Sequence, residues 1–449
     1  MPSAEFLMQD NFCVLPWQHL TLQDDGTTQL CCQSTQVEDI DGKPLSLYEQ
    51  SIAEIWNGGF MRAIRAAMVQ GVRVRSCTKC WEVEDRGGIS RRLEMNGAFA
   101  RAGGLIAQLK AEAVREEFAC PSLPVDYQLN MGNACNLKCR TCSSGSSSKI
   151  AADPVHLRWE GKTLNMAAAA RQDAYGIDDN DAAPCVTRAN RLGRGLPWYK
   201  DADFLLGELL ADAQRIRALQ IIGGEPLVIR MLGPIVEHLA SMGRPELVTM
   251  GLTTNGTRFD SALMARLERF GLISISVSID GLGPMFDYIR YPGKWSEVLA
   301  NLERYAALPK VMLSIVPTFH IYNALHFADV LRFCEARNIR PISNPLWTPH
   351  QLRAEVLPPR ARREAAQRLR AFSASARVPL NGMLANTFAQ QLEDQGDAID
   401  HAALEEFMLY TNDLDQGRSL RFRDVCPEVI ELMAADGVIW NEALRHAAA

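Results

Sequence analysis

Three closely spaced cysteines constrain the fold and the chemistry of this chain more than any other feature. Cys135, Cys139 and Cys142 follow an apolar run, Leu123–Met131, which reads as the strand that delivers their loop. Thiols separated by three and then two residues suit one small loop that closes on one inorganic centre. If that centre is a 4Fe-4S cube, three thiolates leave one iron without a protein ligand, where a second molecule can bind.

A structural zinc ion is the alternative for these thiols, with Cys120 or Cys185 as its fourth ligand. Zinc ribbons, however, use two CxxC pairs separated by a long gap, whereas this loop has one CxxxCxxC triplet after a strand. The pattern therefore favours an iron–sulfur cluster.

A glycine-rich turn supports this interpretation. Gly223, Gly224, Glu225 and Pro226 follow the next predicted strand, and the two glycines let the backbone approach a ligand closely. Together with CxxxCxxC, this GGEP sequence resembles the radical S-adenosylmethionine superfamily. The resemblance implies that the open iron binds the amino and carboxylate groups of S-adenosylmethionine, and that the GGEP turn holds the amino group.

The same resemblance implies the chemistry. The cluster held by Cys135, Cys139 and Cys142 gives one electron to S-adenosylmethionine, which releases methionine and a 5'-deoxyadenosyl radical that removes a hydrogen atom from a substrate. Further contacts with S-adenosylmethionine are expected where later strands end. These candidate residues are Thr254, Asn255, Ser278, Asp280 and Arg290. The guanidinium of Arg290 suits bidentate pairing with a carboxylate, whereas Thr254 and Asn255 also fit an ordinary turn.

Composition indicates an ordinary globular protein. The chain has 449 residues, of which 47% are hydrophobic and 22% charged, and a net charge of -6. This charge argues against a general nucleic-acid binder. No secretory signal and no run long enough to cross a membrane is visible, so a cytoplasmic location is predicted. The 12 cysteines then point to metal or redox chemistry rather than disulfides.

Alternation of apolar strands with helices predicts the fold. Six predicted strands, the first at Leu123–Met131 and the last at Pro341–Leu346, alternate with helices, which indicates parallel pairing with right-handed crossovers. The fold class is therefore α/β, an open (β/α)6 partial TIM-like barrel. Domain boundaries are expected at residues 1–115 for an N-terminal cysteine-rich domain, 116–350 for the barrel with an insertion at 143–200, and 351–449 for a helical extension.

Four more cysteines lie in the N-terminal part. Cys13 and Cys31 flank a predicted hairpin, and Cys77 and Cys80 form a distant CxxC pair. This spacing resembles the SPASM or twitch module, a β-hairpin plus helix with an auxiliary cluster, although that module more often follows the barrel. The resemblance implies an auxiliary iron–sulfur cluster, 4Fe-4S in type, and a structural zinc ion is the alternative. Cys32 either substitutes for Cys31 or packs in the core.

The resemblance also bears on substrate and partners. It implies a peptide or amino-acid-like natural-product precursor as the substrate, and flavodoxin or ferredoxin as the electron donor. A small metabolite acted on by a radical dehydrogenase or epimerase is one alternative. A protein that uses its metal sites for electron transfer or partner binding, without turnover, is another. His320 and His350, near the last two strands, are interpreted as structural.

Overall fold

The computed structural model describes residues 11–39, 41–163, 192 and 196–445. The strands are β1 (His19–Leu22), β2 (Thr28–Gln29), β3 (Asp126–Asn130), β4 (Ala218–Ile222), β5 (Thr249–Thr254), β6 (Leu272–Val277), β7 (Val311–Ile315), β8 (Thr318–Phe319), β9 (Arg340–Pro341) and β10 (Asn344–Pro345). The helices are Ile52–Asn57, Gly59–Val69, Thr78–Asp85, Arg91–Arg101, Ile106–Arg115, Ser148–Ala151, Pro154–Thr163, Ala202–Phe204, Leu232–Met242, Ser261–Leu267, Pro284–Ile289, Trp295–Ala306, Phe327–Ala336, Pro359–Ser375, Pro379–Glu393, His401–Arg418, Phe422–Val425 and Pro427–Ala435.

The main sheet has eight strands in the order β2-β1-β3-β4-β5-β6-β7-β9. β3 pairs in parallel with β4, β4 with β5, and β7 with β9. Leu219 and Ile221, on one face of β4, are fully buried, whereas Ala218, Gln220 and Ile222, on the other face, are half-buried. The predicted α/β class and its strand and helix alternation are confirmed.

The N-terminal hairpin joins this sheet, which was not predicted. β1 and β2 pair antiparallel, as expected from the turn at Asp24–Gly26, and the positive φ of +82° at Gly26 suits a glycine. β1 then pairs in parallel with β3 over four residues, Leu22 lying opposite Leu129. This pairing satisfies the backbone groups on the outer edge of β3. With β1 and β2 added, the sheet has eight strands instead of the six predicted.

One predicted helix is much shorter than expected. The alternation of strands and helices predicts a helix from Asp201 to Ile216, before the strand at 219–222. The structure is α-helical there only over Ala202–Phe204 and continues as a π-helical turn, Leu205–Leu209. The Asp201 side chain accepts hydrogen bonds from the backbone of Asp203 and Phe204 and so begins the helix. In this turn the backbone hydrogen bonds join residues five apart instead of four, so the α-helix ends where the π-helical turn begins.

The chain divides into two compact units. The N-terminal unit contains Met1–Gly132, Asn180–Leu252 and Ser261–Ile273, and the C-terminal unit contains Asn133–Asp179, Thr253–Asp260 and Ser274–Ala449. The predicted helical extension, in which the sequence predicts helices at Pro359–Phe372, Ala402–Asn412 and Pro427–Ala434, forms much of the C-terminal unit's core. Phe388, on a helix that the sequence reading missed, stacks on Phe319 with ring centroids 4.4 Å apart.

Part of the predicted insertion at 143–200 is described. It contains the helices Ser148–Ala151 and Pro154–Thr163, whereas the stretch 175–184 and Cys185 lie outside the described residues. The predicted domain boundaries stay predictions. Within the described ranges, no helix combines the length and the apolar character that crossing a membrane requires.

Candidate iron–sulfur and S-adenosylmethionine site

The cysteine loop, residues 133–142, is held at both ends by backbone and hydroxyl contacts. Two serines at the start of a following helix fix its first half: the Cys135 amide donates to Ser148 Oγ at 3.2 Å, and Ser147 Oγ donates to the Leu137 carbonyl at 2.6 Å. The second half lies along residues 289–291. There the Lys138 amide donates to the Tyr291 carbonyl at 2.7 Å, and the Arg140 amide to the Ile289 carbonyl at 2.9 Å.

In this arrangement the three predicted ligand thiols interact electrostatically with one another. The pKa of Cys139 is raised to about 11, mainly by burial; Arg290 lowers this pKa and Cys135 contributes to raising it. Burial, Cys139 and Cys135 likewise raise the pKa of Cys142. Thiols that repel one another as anions in a buried site need cationic partners or a metal centre to become thiolates.

Asp280 and Arg290 form a buried ion pair in the same unit. Arg290 Nη2 lies 2.8 Å from Asp280 Oδ2, and Asp280 Oδ1 accepts from the Thr318 amide at 2.8 Å. Burial alone would lower the pKa of Arg290, but Asp280 and Cys139 together raise it above its ordinary value. Two of the predicted S-adenosylmethionine residues thus contact each other, and Arg290 is an electrostatic neighbour of Cys139.

Asn255 contacts the cysteine loop rather than lying free at a strand end. Its Nδ2 donates to Asn136 Oδ1 at 2.9 Å and lies 4.0 Å from Cys135 Sγ. The hydroxyl of buried Thr254 accepts from the Gly256 amide at 3.1 Å, and the amide of half-buried Ser278 donates to the Thr254 carbonyl at 2.9 Å. Contact of these three residues with S-adenosylmethionine stays a prediction.

In the N-terminal unit, the Gly223–Pro226 turn lies against the end of β3. The Gly224 amide donates to the Gly132 carbonyl at 2.8 Å. A Cβ on Gly223, whose φ is +126°, would lie 2.7 Å from the Gly132 oxygen and 3.0 Å from the Met131 nitrogen. Glu225 is fully buried, and its carboxylate accepts from the Leu227 amide at 3.1 Å. The positive φ and these close backbone contacts together require glycine at position 223.

The N-terminal thiols are likewise electrostatic neighbours of one another, all within the N-terminal unit. Cys13, Cys31 and Cys80 are buried. Burial raises the pKa of Cys13 to about 12, with a further contribution from Cys80. Burial, Cys13 and Cys80 raise the pKa of Cys77, and Cys31 interacts with Cys13. Four thiols from separate segments thus provide the soft donors that an iron–sulfur cluster or zinc prefers.

Cys32 differs from these four because it is exposed, so the interpretation of Cys32 as a core residue is wrong.

Two arginines interact with the N-terminal thiols and favour their thiolate forms. Arg91 interacts with Cys32 and Cys31, and Arg92 lowers the pKa of Cys13 and of Cys77. Arg92 is itself held by a bidentate ion pair with Glu84, at 3.0 and 2.7 Å.

Sequence reasoning missed several residues that shape the site. Asn136, Ser147 and Ser148 carry no motif, although their closeness to the cysteines in sequence was a usable signal. His320, interpreted as structural, is fully buried, and neither ring nitrogen has a hydrogen-bond partner among the described residues. Burial lowers its pKa to about 4. By contrast, His350 lies at the surface and pairs with Asp400 at 3.0 Å.

Electrostatic interaction between thiols does not by itself mean that they are close enough to bind one metal ion. In the described part of the chain, no three His, Cys, Asp or Glu side chains are close enough together to hold a metal ion. The ligand roles of the seven cysteines stay predictions.

Known proteins match both parts of the chain. The sequence model of the radical SAM superfamily matches residues 129–334, and that of SPASM, an iron–sulfur cluster-binding domain, matches residues 13–81. These two domains imply 4Fe-4S clusters and S-adenosylmethionine as cofactors, as predicted.

Individual relatives are more distant. A GTP 3',8-cyclase of Syntrophomonas wolfei is 30% identical over 27% of this chain and 38% of its own length. One of Moorella thermoacetica is 33% identical over 31% of this chain and 45% of its own. The chain thus spans less than half the length of these curated relatives.

A solved structure, native anSMEcpe with bound AdoMet, is 15% identical, with a TM-score of 0.36 over 56% of this chain and 61% of that chain. Both cysteine groups and the turn after β4 fall inside the regions matched by the two domain families. This chain therefore contains a radical SAM domain at residues 129–334 and a SPASM domain at residues 13–81, near its N-terminus.

Proposed function

We propose that this chain is a radical S-adenosylmethionine enzyme that removes a hydrogen atom from a peptide or amino-acid-like precursor. The observation that carries the proposal is the pairing of residues 138–140 with residues 289–291 through two backbone hydrogen bonds of 2.7 and 2.9 Å. This pairing holds Cys139 beside Arg290, the residue expected to bind the cosubstrate carboxylate. When bound, the cluster and S-adenosylmethionine supply a 5'-deoxyadenosyl radical.

Each residue has a defined task in this proposal. Cys135, Cys139 and Cys142 hold the cluster at three irons. The fork of Arg290 binds a carboxylate in a bidentate manner, while Asp280 keeps the guanidinium charged and oriented. The Gly223–Pro226 turn presents backbone groups to the amino end of the cosubstrate.

The peptide class of substrate rests on the resemblance of the N-terminal thiol group to the SPASM or twitch module, whose family model matches residues 13–81. The curated relatives favour a second candidate, because both GTP 3',8-cyclases named above act, by name, on a purine nucleotide. GTP added to the reconstituted protein distinguishes the two. A GTP-dependent increase in 5'-deoxyadenosine with loss of GTP would favour the nucleotide.

The central test is anaerobic reconstitution with iron and sulfide, followed by dithionite and S-adenosylmethionine. The expected result is 5'-deoxyadenosine and methionine in equal amounts, detected by chromatography and mass spectrometry, and their absence from a Cys139→Ala variant. A reconstituted protein with full iron content that forms no 5'-deoxyadenosine would favour the non-catalytic alternative, in which the metal sites serve electron transfer or partner binding.

A further inference from the structure

The helix His401–Arg418 contacts the cysteine loop on both sides of Cys139. Arg418 Nη2 donates to the Lys138 carbonyl at 2.7 Å, and the Tyr410 hydroxyl donates to the Arg140 carbonyl at 2.6 Å. The amides of Lys138 and Arg140 bond to residues 289–291. All four backbone polar groups that flank Cys139 are therefore held, two of them by this helix.

Arg418 is buried without a carboxylate of its own. It is 7% exposed, and its Nε and Nη1 have no hydrogen-bond partner among the described residues. Asp153, a carboxylate that interacts with it electrostatically, is already shared by Lys138 Nζ at 2.8 Å and His156 Nδ1 at 3.5 Å.

The other groups around Arg418 do not neutralise it. The guanidinium carbon lies 5.0 Å from the ring centroid of Tyr291, Nη2 lies 3.5 Å from His156 Nε2, and Arg140 repels it. A buried guanidinium without an anionic partner is costly. Tyr410 is also an electrostatic neighbour, but burial raises the pKa of its hydroxyl, which therefore stays neutral. The remaining neighbour with anionic character named by these interactions is Cys139, one of the three predicted cluster ligands.

A cluster bound by three thiolates is an anion, and one-electron reduction adds a further negative charge to it. A fixed positive charge nearby therefore stabilises the reduced state more than the oxidised state. Such a charge raises the reduction potential and makes the electron from an external donor easier to accept.

We propose that Arg418 is a positioning residue and an electrostatic partner of the cluster held by Cys135, Cys139 and Cys142. It fixes the Lys138 carbonyl, which precedes Cys139, and its charge favours the one-electron-reduced cluster. The proposal rests on the proposed function only in requiring that this loop holds a redox-active cluster.

The test is a redox titration of the reconstituted full-length protein with dithionite, followed by electron paramagnetic resonance. The signal of this cluster is identified as the one missing from Cys139→Ala. The Arg418→Gln variant is expected to shift the midpoint potential to more negative values, because a positive charge is lost, whereas Arg418→Lys keeps the charge and stays close to wild type. Arg421→Gln is the matched control, since Arg421 is exposed and, among the residues that the structure describes, pairs with Asp424 at 3.5 Å.

Two outcomes would overturn the proposal. One is a wild-type potential in Arg418→Gln, and the other is an equal shift in Arg421→Gln. Reduced cluster loading does not obscure the result, because only loaded protein contributes to the signal, and Arg418→Met provides a second neutral variant of similar length. Failure of wild type to form 5'-deoxyadenosine would count against the proposed function but leave the comparison of potentials valid.

Discussion

At the scale of single residues, Arg290 has two roles that one substitution can separate. Its charge neutralises buried Asp280 at 2.8 Å, and its planar fork is proposed to bind a carboxylate. In Arg290→Lys the charge is kept and the fork is lost, so the protein should fold while its affinity for S-adenosylmethionine falls at least about tenfold. Calorimetric titration under anaerobic conditions measures this change.

Lys294→Gln is the control for this substitution. Lys294 is a nearby cation, but it is exposed and lies 3.6 Å from Asp287, so its loss should leave the affinity unchanged. If the Arg290→Lys variant bound S-adenosylmethionine as tightly as wild type, the result would contradict the proposed contact between Arg290 and the cosubstrate carboxylate.

The raised thiol pKa values predict that cluster assembly depends on pH. Burial raises the pKa of Cys139 to about 11, so its protonated form dominates at neutral pH, whereas iron binds the thiolate. The thiolate fraction rises about tenfold per pH unit below that pKa, so we expect initial iron incorporation into the apo-protein to accelerate between about pH 7 and 9.

Absorbance of the growing cluster follows this reaction. Circular dichroism over the same pH range serves as the control that the apo-protein stays folded. A rate independent of pH would show that deprotonation of these thiols does not limit assembly.

Residue types in motifs were predictable, but their partners were not. CxxxCxxC and GGEP identified the loop and the turn because only certain residue types perform that chemistry. The contacts of Asn255 with Asn136, and of Tyr410 and Arg418 with the cysteine loop, join positions 119 or more apart in sequence. Such contacts depend on packing that no local pattern encodes.

At the scale of elements, the turn after β4 depends on a backbone that approaches β3 too closely for a side chain. Gly223→Ala would place a Cβ 2.7 Å from the Gly132 oxygen at a φ of +126°. Because backbone atoms cannot move aside as a side chain can, we expect a loss of about 1–3 kcal/mol in unfolding free energy, together with weaker S-adenosylmethionine binding. Denaturant unfolding and calorimetric titration measure the two effects.

Gly233→Ala is the matched control for that turn. Gly233 lies in the helix Leu232–Met242, and its added Cβ would meet only Arg266 Nη1, at 3.7 Å. Alanine is the better helix former, so this variant should be neutral or slightly more stable. Equal destabilisation by both substitutions would contradict the proposed requirement for glycine at position 223.

Element types followed from periodicity, whereas element partners did not. The hairpin was predictable because Asp24–Gly26 forms a turn between two apolar runs. Its parallel pairing with β3 depends on residues about 100 positions later, His19 lying opposite Asp126. The helix Pro379–Glu393 was missed because its buried face consists of small and polar residues, including Asn381 and Gly382, as well as Phe388.

At the scale of the whole molecule, the two cysteine groups lie in different compact units and should lose their metal separately. Wild type is expected to bind about eight irons per chain, as two 4Fe-4S clusters. Cys77→Ser should retain about four irons and still form 5'-deoxyadenosine, because Cys77 lies outside the Cys135–Cys142 loop. Iron and zinc analysis of the purified proteins provides the measurement.

Cys334→Ala is the control, because Cys334 is buried in the helix Phe327–Ala336 and belongs to neither predicted ligand set, and about eight irons should remain. About four irons and one zinc ion in wild type would assign zinc to the N-terminal thiols. Loss of both clusters in Cys77→Ser would show that the two centres depend on each other.

The contacts of Tyr410 and Arg418 with residues 138–140 also set an order of events during synthesis. Residues 135–142 leave the ribosome long before residue 418, so the nascent loop lacks two of the four bonds that flank Cys139. Stable iron delivery is therefore expected after translation has passed that helix, so the assembly machinery would meet a chain that already extends beyond residue 418.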